Sequence, residues 1–177
     1  MRLSEHRDFE QAILRAADDS KLSPAIVEKD YYVTEVLRVI ANTCGDKIIF
    51  KGGTSLSKGW NLIQRFSEDI DIFLDPKSFQ PALGKHGIDR ELKKLRQAIE
   101  QHPAFSFVES NTIGGFGRSD SFSYKQLFGG PGQVVNRVLI EAGTASGREP
   151  SILVELTSYI SLFLKQKGQS LGADDEE

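Results

Sequence analysis

The stretch 65–75, RFSEDIDIFLD, follows 48–60, IIFKGGTSLSKGW, and the two together decide the fold. In the first, Asp69 and Asp71 stand one residue apart inside a run of Ile, Phe and Leu. Such a run reads as a strand, and an unpaired carboxylate buried in a strand is costly. Side chains at i and i+2 share one face of a strand, so Asp69 and Asp71 project together while Ile70, Ile72 and Leu74 turn to the core. Their Cα atoms then lie about 7 Å apart, and two carboxylates converging from that span can share one hard cation or hold two about 3.5–4 Å apart. Taken alone, Asp-x-Asp is more simply the wet face of an amphipathic edge strand.

The upstream stretch changes that balance. Residues 47–50, KIIF, read as a short strand ending in Gly52-Gly53, and Thr54 to about Gln64 reads as a helix with Leu56, Trp60 and Ile63 on one face. Glycines let a backbone turn tightly and approach a ligand, and a helix N-terminus favours anions. Gly52, Gly53, Thr54 and Ser55 are therefore candidates for holding phosphates. The segment is not a Walker loop, because the order here is Lys58-Gly59 and the required spacing is absent. A phosphate cradle beside a pair of acids suits a nucleoside triphosphate with Mg²⁺, or Mn²⁺ in its place. Lys58 and Arg65 stand seven residues apart, two helical turns, and either flank the phosphates or decorate a solvated face. Ser67 completes the candidate nucleotide-binding set. Trp60 reads as core.

Outward from this centre, 5–18 reads as an amphipathic helix through Phe9, Ala12, Ile13 and Ala16. Ser23-Pro24 is an N-cap followed by proline at the first helical position, opening a second helix to about Asn42. A further helix over 88–101 has Asp89 as its expected cap. The segments 104–109, 121–128, 134–141 and 152–157 read as strands, separated by the turn-forming TIGGFGRSD, GGPGQ and GTASGREPS. A last helix covers 158–166. The expected fold is α+β, a mixed sheet flanked by helices, with residues 1–46 as an N-terminal helical segment packed on a core of 47–168. Residues 169–177 read as an acidic tail, or as the point where a longer chain is cut.

Composition excludes several classes. With 39% hydrophobic and 27% charged residues in 177, the chain reads as globular. No apolar run approaches a membrane span, and the charged start MRLSEHRDFEQ lacks a secretory signal's apolar stretch. Four of the 25 acids are the last four residues; the remainder carries 22 basic and 21 acidic groups, not the footprint of a dedicated nucleic-acid binder. A single cysteine, Cys44, fits a reducing cytoplasm and reads as a small buried hydrophobe. His6, His86 and His102 are scattered, with no metal-ligand spacing.

FKGGTSLSKGWNLIQRFSEDIDIFL, residues 50–74, resembles the signature of the nucleotidyltransferase superfamily that includes DNA polymerase β. More narrowly it resembles the AbiEii/AbiGii abortive-infection toxins of bacteria, and IVEKDYYVTEVL at 26–37 also resembles that family's N-terminal helix. The likeness is strong over 24–75 and loose beyond. It implies a nucleotidyltransferase-like sheet, metal-dependent transfer of a nucleoside monophosphate from ATP, GTP or another triphosphate to a hydroxyl, with an RNA 3′ end as one such acceptor, and a cytoplasmic toxin of a type IV toxin–antitoxin or phage-defence pair with a cognate antitoxin. It also implies a third carboxylate on a later strand. Glu141, in NRVLIEAGTASGREP, matches the family pattern better than Glu155, in SILVELTSY, so Asp69, Asp71 and Glu141 are the expected metal and catalytic set. The bland reading of either glutamate is a strand-end acid paired with an arginine such as Arg137. Lys29-Asp30 reads as structural, and GGFGRSD at 114–120 either clasps nucleotide or RNA through Arg118 or forms a mobile hairpin tip. Members of the family usually continue into a helical C-terminal lobe. Two other functions stay open: a nucleotide-binding module without turnover, which acts by binding a partner protein, and a metal-dependent nuclease, which would have no need of the Gly-Gly-Thr-Ser turn.

Overall fold

A computed structural model describes residues 2–60, 62, 69–113, 117–129, 134–145 and 150–169. The fold is α+β. Its described elements are α1 (Phe9–Ser20), α2 (Pro24–Cys44), β1 (Ile48–Lys51), α3 (Gly52–Lys58), β2 (Asp69–Leu74), α4 (Lys85–Glu100), β3 (Ser106–Ile113), β4 (Gly117–Ser123), β5 (Arg137–Gly143) and α5 (Tyr159–Gln166). They form two compact units, one of residues 1–34, 125–136 and 157–177, the other of 35–124 and 137–156.

In the first unit, α1 buries Phe9, Ile13, Ala16 and Ala17 along one stripe, the 3.6-residue pattern the sequence predicts. Ser23 caps α2, its hydroxyl accepting the Ile26 N–H at 3.3 Å. Three consecutive charged residues of α2 are buried, and each has a structural partner. The Glu28 carboxylate accepts the N–H groups of Leu127 and Phe128 at 2.7 and 2.9 Å, Lys29 Nζ donates to the Val135 carbonyl at 2.8 Å, and Asp30 accepts the Tyr159 N–H at 2.9 Å. Successive helical positions are about 100° apart, so this triplet pins two chain segments from different sides of one turn. Burial pushes the Glu28 carboxyl up, with the two backbone donors opposing. Ser158 caps α5, accepting the Ser161 N–H at 3.1 Å, and α5 packs on α1.

The second unit is built on a mixed sheet of order β1-β2-β5-β4-β3, in which only β2 and β5 run parallel. Alternation sends Ile70, Ile72, Ile140 and Phe122 to a closed face. Helix α4, which contacts β4, buries Ile88, Leu92, Leu95 and Ile99.

Several sequence expectations are corrected. Residues 152–157 form no strand, and Ile152 and Leu153 stand exposed: β-branched composition is only half of a strand, which also needs a neighbour to bond. Helix α3 begins at Gly52 and ends at Lys58, so Trp60 falls off its apolar stripe and is 50% exposed. Asp89 is not a cap, because α4 starts at Lys85 with Gly84 at the N-cap. The glycine-rich 112–120 stretch is mostly strand: β3 runs to Ile113 and β4 starts at Gly117, leaving 114–116 outside the described residues. Arg118 is thereby buried, bonded to Ser110 at 2.8 Å and to Asp120 at 3.1 Å. It braces two strands and is no clasp at a tip. Cys44 is half-buried, its thiol pushed up by burial. Among the described residues no helix is long and apolar enough to cross a membrane.

Candidate active site

The site grows from the turn between β1 and α3. Gly52 has φ +75°, a left-handed conformation that glycine adopts without steric cost. A Cβ placed there would lie 2.0 Å from Asp71 Oδ2, so the aspartate occupies the space that any other residue's side chain would need. The following helix is tied down by Thr54, which is buried and donates its hydroxyl to the Asp69 carbonyl. Its hydroxyl is thus engaged in bracing. Ser55 and Lys58 are half-buried, and Gly53 lies beside them.

Strand β2 settles the question of its two acids. Ile70 and Ile72 are fully buried, whereas Asp69 is exposed and Asp71 half-buried. The carboxylates therefore occupy the open face, and the isoleucines the core. Register then assembles a polar row across all five strands: Lys51 opposite Asp71, Asp71 opposite Glu141, Glu141 opposite Ser119, and Ser119 opposite Asn111. Adjacent strands are about 4.8 Å apart, and residues in register share a face. Glu141 thus stands next to Asp71, with Asp69 two residues along.

Lys51 and Ser119 are the residues that sequence reading missed. Lys51 immediately precedes the paired glycines, but only the antiparallel pairing of β1 with β2 brings it beside Asp71. Glu155 lies in the exposed 150–155 run and on no strand. Arg65 and Ser67 lie outside the described residues. Arg137 faces Glu109 at 3.5 Å.

Asp69, Asp71 and Glu141 offer only oxygen donors, which suit a hard divalent cation. The Asp71 carboxylate, cradled over Gly52, is the donor whose place is most narrowly set. Among the described residues no three acid, histidine or cysteine side chains are gathered tightly enough to hold an ion outright. The donor chemistry fits a hard cation, and the register sets Asp71 and Glu141 on adjacent strands.

A family model described as "Nucleotidyl transferase AbiEii toxin, Type IV TA system" matches residues 36–171. The chain belongs to the AbiEii family. The match spans β1 to β5 and includes Asp69, Asp71 and Glu141 as well as Lys51 and the Gly52-Gly53 turn. The AbiEii family is one of nucleotidyl transferase toxins of type IV toxin–antitoxin systems. No curated protein shows significant similarity to the chain.

Proposed function

We propose that this AbiEii-family chain moves a nucleoside monophosphate from a nucleoside triphosphate to a hydroxyl, with an RNA 3′ end as the acceptor class, and acts as a toxin with a cognate antitoxin. The observation that carries this reading is the register that sets Lys51, Asp71 and Glu141 side by side next to the Gly52 turn. A cation between two acids and a triphosphate is needed for them to coexist, and one amino-acid cation is already beside them.

Asp69, Asp71 and Glu141 are the residues to hold Mg²⁺ or Mn²⁺, which when bound supplies charge against the triphosphate and lowers the pKa of a coordinated hydroxyl. Lys51 offers its ammonium to phosphate oxygens, and Lys58, Arg65 and Ser67 extend that set. Gly52, Gly53, Thr54 and Ser55 line the phosphate side, Thr54 also fixing α3 against β2. Glu141 takes the proton of the attacking hydroxyl or completes the oxygen shell. The acceptor oxygen bonds to the α-phosphorus as the bond to the β-phosphate oxygen breaks, and pyrophosphate leaves.

The test is incubation of the full chain with each α-labelled triphosphate and total cellular RNA. Label is expected in RNA and should vanish on chelation of divalent ions. Triphosphate binding without transfer to any acceptor would favour a binding module, and RNA cleavage without added nucleotide would favour a nuclease; either contradicts the proposal.

A further inference from the structure

The first unit contains a cavity of about 720 Å³ that the reaction above does not use. It is bounded by the amino-terminal turn, by α1 and by the end of α5. That volume lies within the range of small-molecule pockets, about 300–1,000 Å³. Two arginines line it, Arg2 and Arg15. Arg2 Nε is buried and has no hydrogen-bond partner among the described residues. An unsatisfied buried donor is destabilising, more so on a charged group, so an acceptor arriving from outside would relieve it. Arg15, exposed on α1, forms no ion pair among the described residues. Among the described lining residues the one carboxylate, Asp8, is faced by Arg7 and His6 at 3.7 Å each, which answers its charge locally. Lys167 adds a further positive charge nearby, its Nζ 5.6 Å from the Phe163 ring centre.

The remaining wall is partly apolar. Leu3, Phe163 and Leu164 line it, and the amides of Gln11 and Gln169 add neutral donors. Two guanidiniums, each able to donate a pair of hydrogen bonds, match a group with several oxygens and up to two negative charges. A phosphate monoester has both at neutral pH, whereas a carboxylate has one charge and two oxygens. We propose that this cavity binds an organic phosphate monoester, its head group between Arg2 and Arg15 and its body against Leu3, Phe163 and Leu164.

None of the cavity's described lining residues takes part in the nucleotide chemistry proposed for Asp71, and the test separates the two. Phenyl phosphate, benzoate and inorganic phosphate are titrated calorimetrically into the full chain without divalent cations. Phenyl phosphate should bind one to one, more tightly than either of the others, since only it joins a dianionic phosphate head to an apolar body. Arg2→Gln and Arg15→Gln should each weaken it at least about tenfold. Arg15 is exposed, so its replacement tests the site even if the Arg2 variant folds poorly. Asp71→Asn should leave this binding unchanged. Tighter binding of benzoate would overturn the phosphate assignment. Absence of phenyl phosphate binding at millimolar concentration, binding indifferent to both arginine substitutions, or binding lost in Asp71→Asn would overturn the site itself.

Discussion

A methyl group added at Gly52 would meet Asp71 Oδ2 at 2.0 Å and Asp71 Cβ at 2.9 Å, on a backbone already at φ +75°. Strain of this kind costs on the order of 1–3 kcal/mol, and here its relief requires the aspartate to swing from its place. Gly52→Ala should therefore lower stability by about that amount in denaturant titration and also abolish transfer; unchanged activity would show that Asp71 is free to move. Asp71→Asn keeps the shape and removes the charge. It should leave the folded circular dichroism spectrum intact and reduce transfer by at least about 10²-fold, with Asp69→Asn doing likewise. Retained transfer in either variant would count against both as metal ligands. At this scale the sequence was informative, because Asp-x-Asp alternation and the double glycine are local patterns. Lys51 was not legible, since its neighbour Asp71 is twenty residues on and reached only through strand pairing.

At the scale of elements, periodicity and caps foretold α1 and α2, and periodicity the buried face of α4, because those signals are carried by residues three or four apart. Strand 152–157 failed for the opposite reason: Ile152, Leu153 and Val154 look like a strand, but pairing is decided by distant chain. Arg118 was misread because Gly114, Gly115 and Gly117 mark a turn in the sequence without saying how far the flanking strands extend. At Gly117 the missing side chain is used for packing, since a Cβ would come within 2.8 Å of the Ala142 carbonyl. The join of α2 with the end of α4 gives a pH prediction. Glu35 is buried beside Arg38, 2.7 Å away, and His102, whose Nε2 is 3.3 Å away. His102 Nδ1 accepts the Ala104 N–H at 3.2 Å, which turns Nε2 toward the Glu35 carboxylate. Burial raises the Glu35 carboxyl, but the bonds from His102 and Arg38 outweigh it and the net shift is downward from 4.5. An unfolded chain then binds this proton more readily than the folded one. The stabilisation is full above the unfolded pKa and fades as pH falls through the folded value. Glu35→Gln should lose stability near pH 7, with the gap from wild type narrowing as the solution is acidified below 4.5. A gap independent of pH in thermal melts would sink this assignment.

For the whole molecule, the sequence resemblance and the family match agree on an AbiEii nucleotidyl transferase toxin, and the expectations that stay proposals are the cation, the triphosphate and the acceptor. If one site takes cation and triphosphate together, each should improve the other's binding, because phosphate oxygens complete the metal's shell and the metal offsets repulsion from Asp69, Asp71 and Glu141. Mg²⁺ with a triphosphate should raise the melting temperature by more than the sum of the separate shifts; an additive response would contradict a joint site.

The central claim is that Glu141, in register with Asp71, is the third carboxylate. It is tested most directly by comparing labelled-nucleotide transfer in Glu141→Gln and Glu155→Gln at saturating Mg²⁺, where weakened metal affinity is not mistaken for lost chemistry. Glu141→Gln should fall at least about 10²-fold, as expected for loss of a proton-transfer group or metal ligand. Glu155→Gln, changing an exposed residue on no strand, should fall less than about tenfold, or about 1.4 kcal/mol of barrier. The reverse ranking would contradict the account.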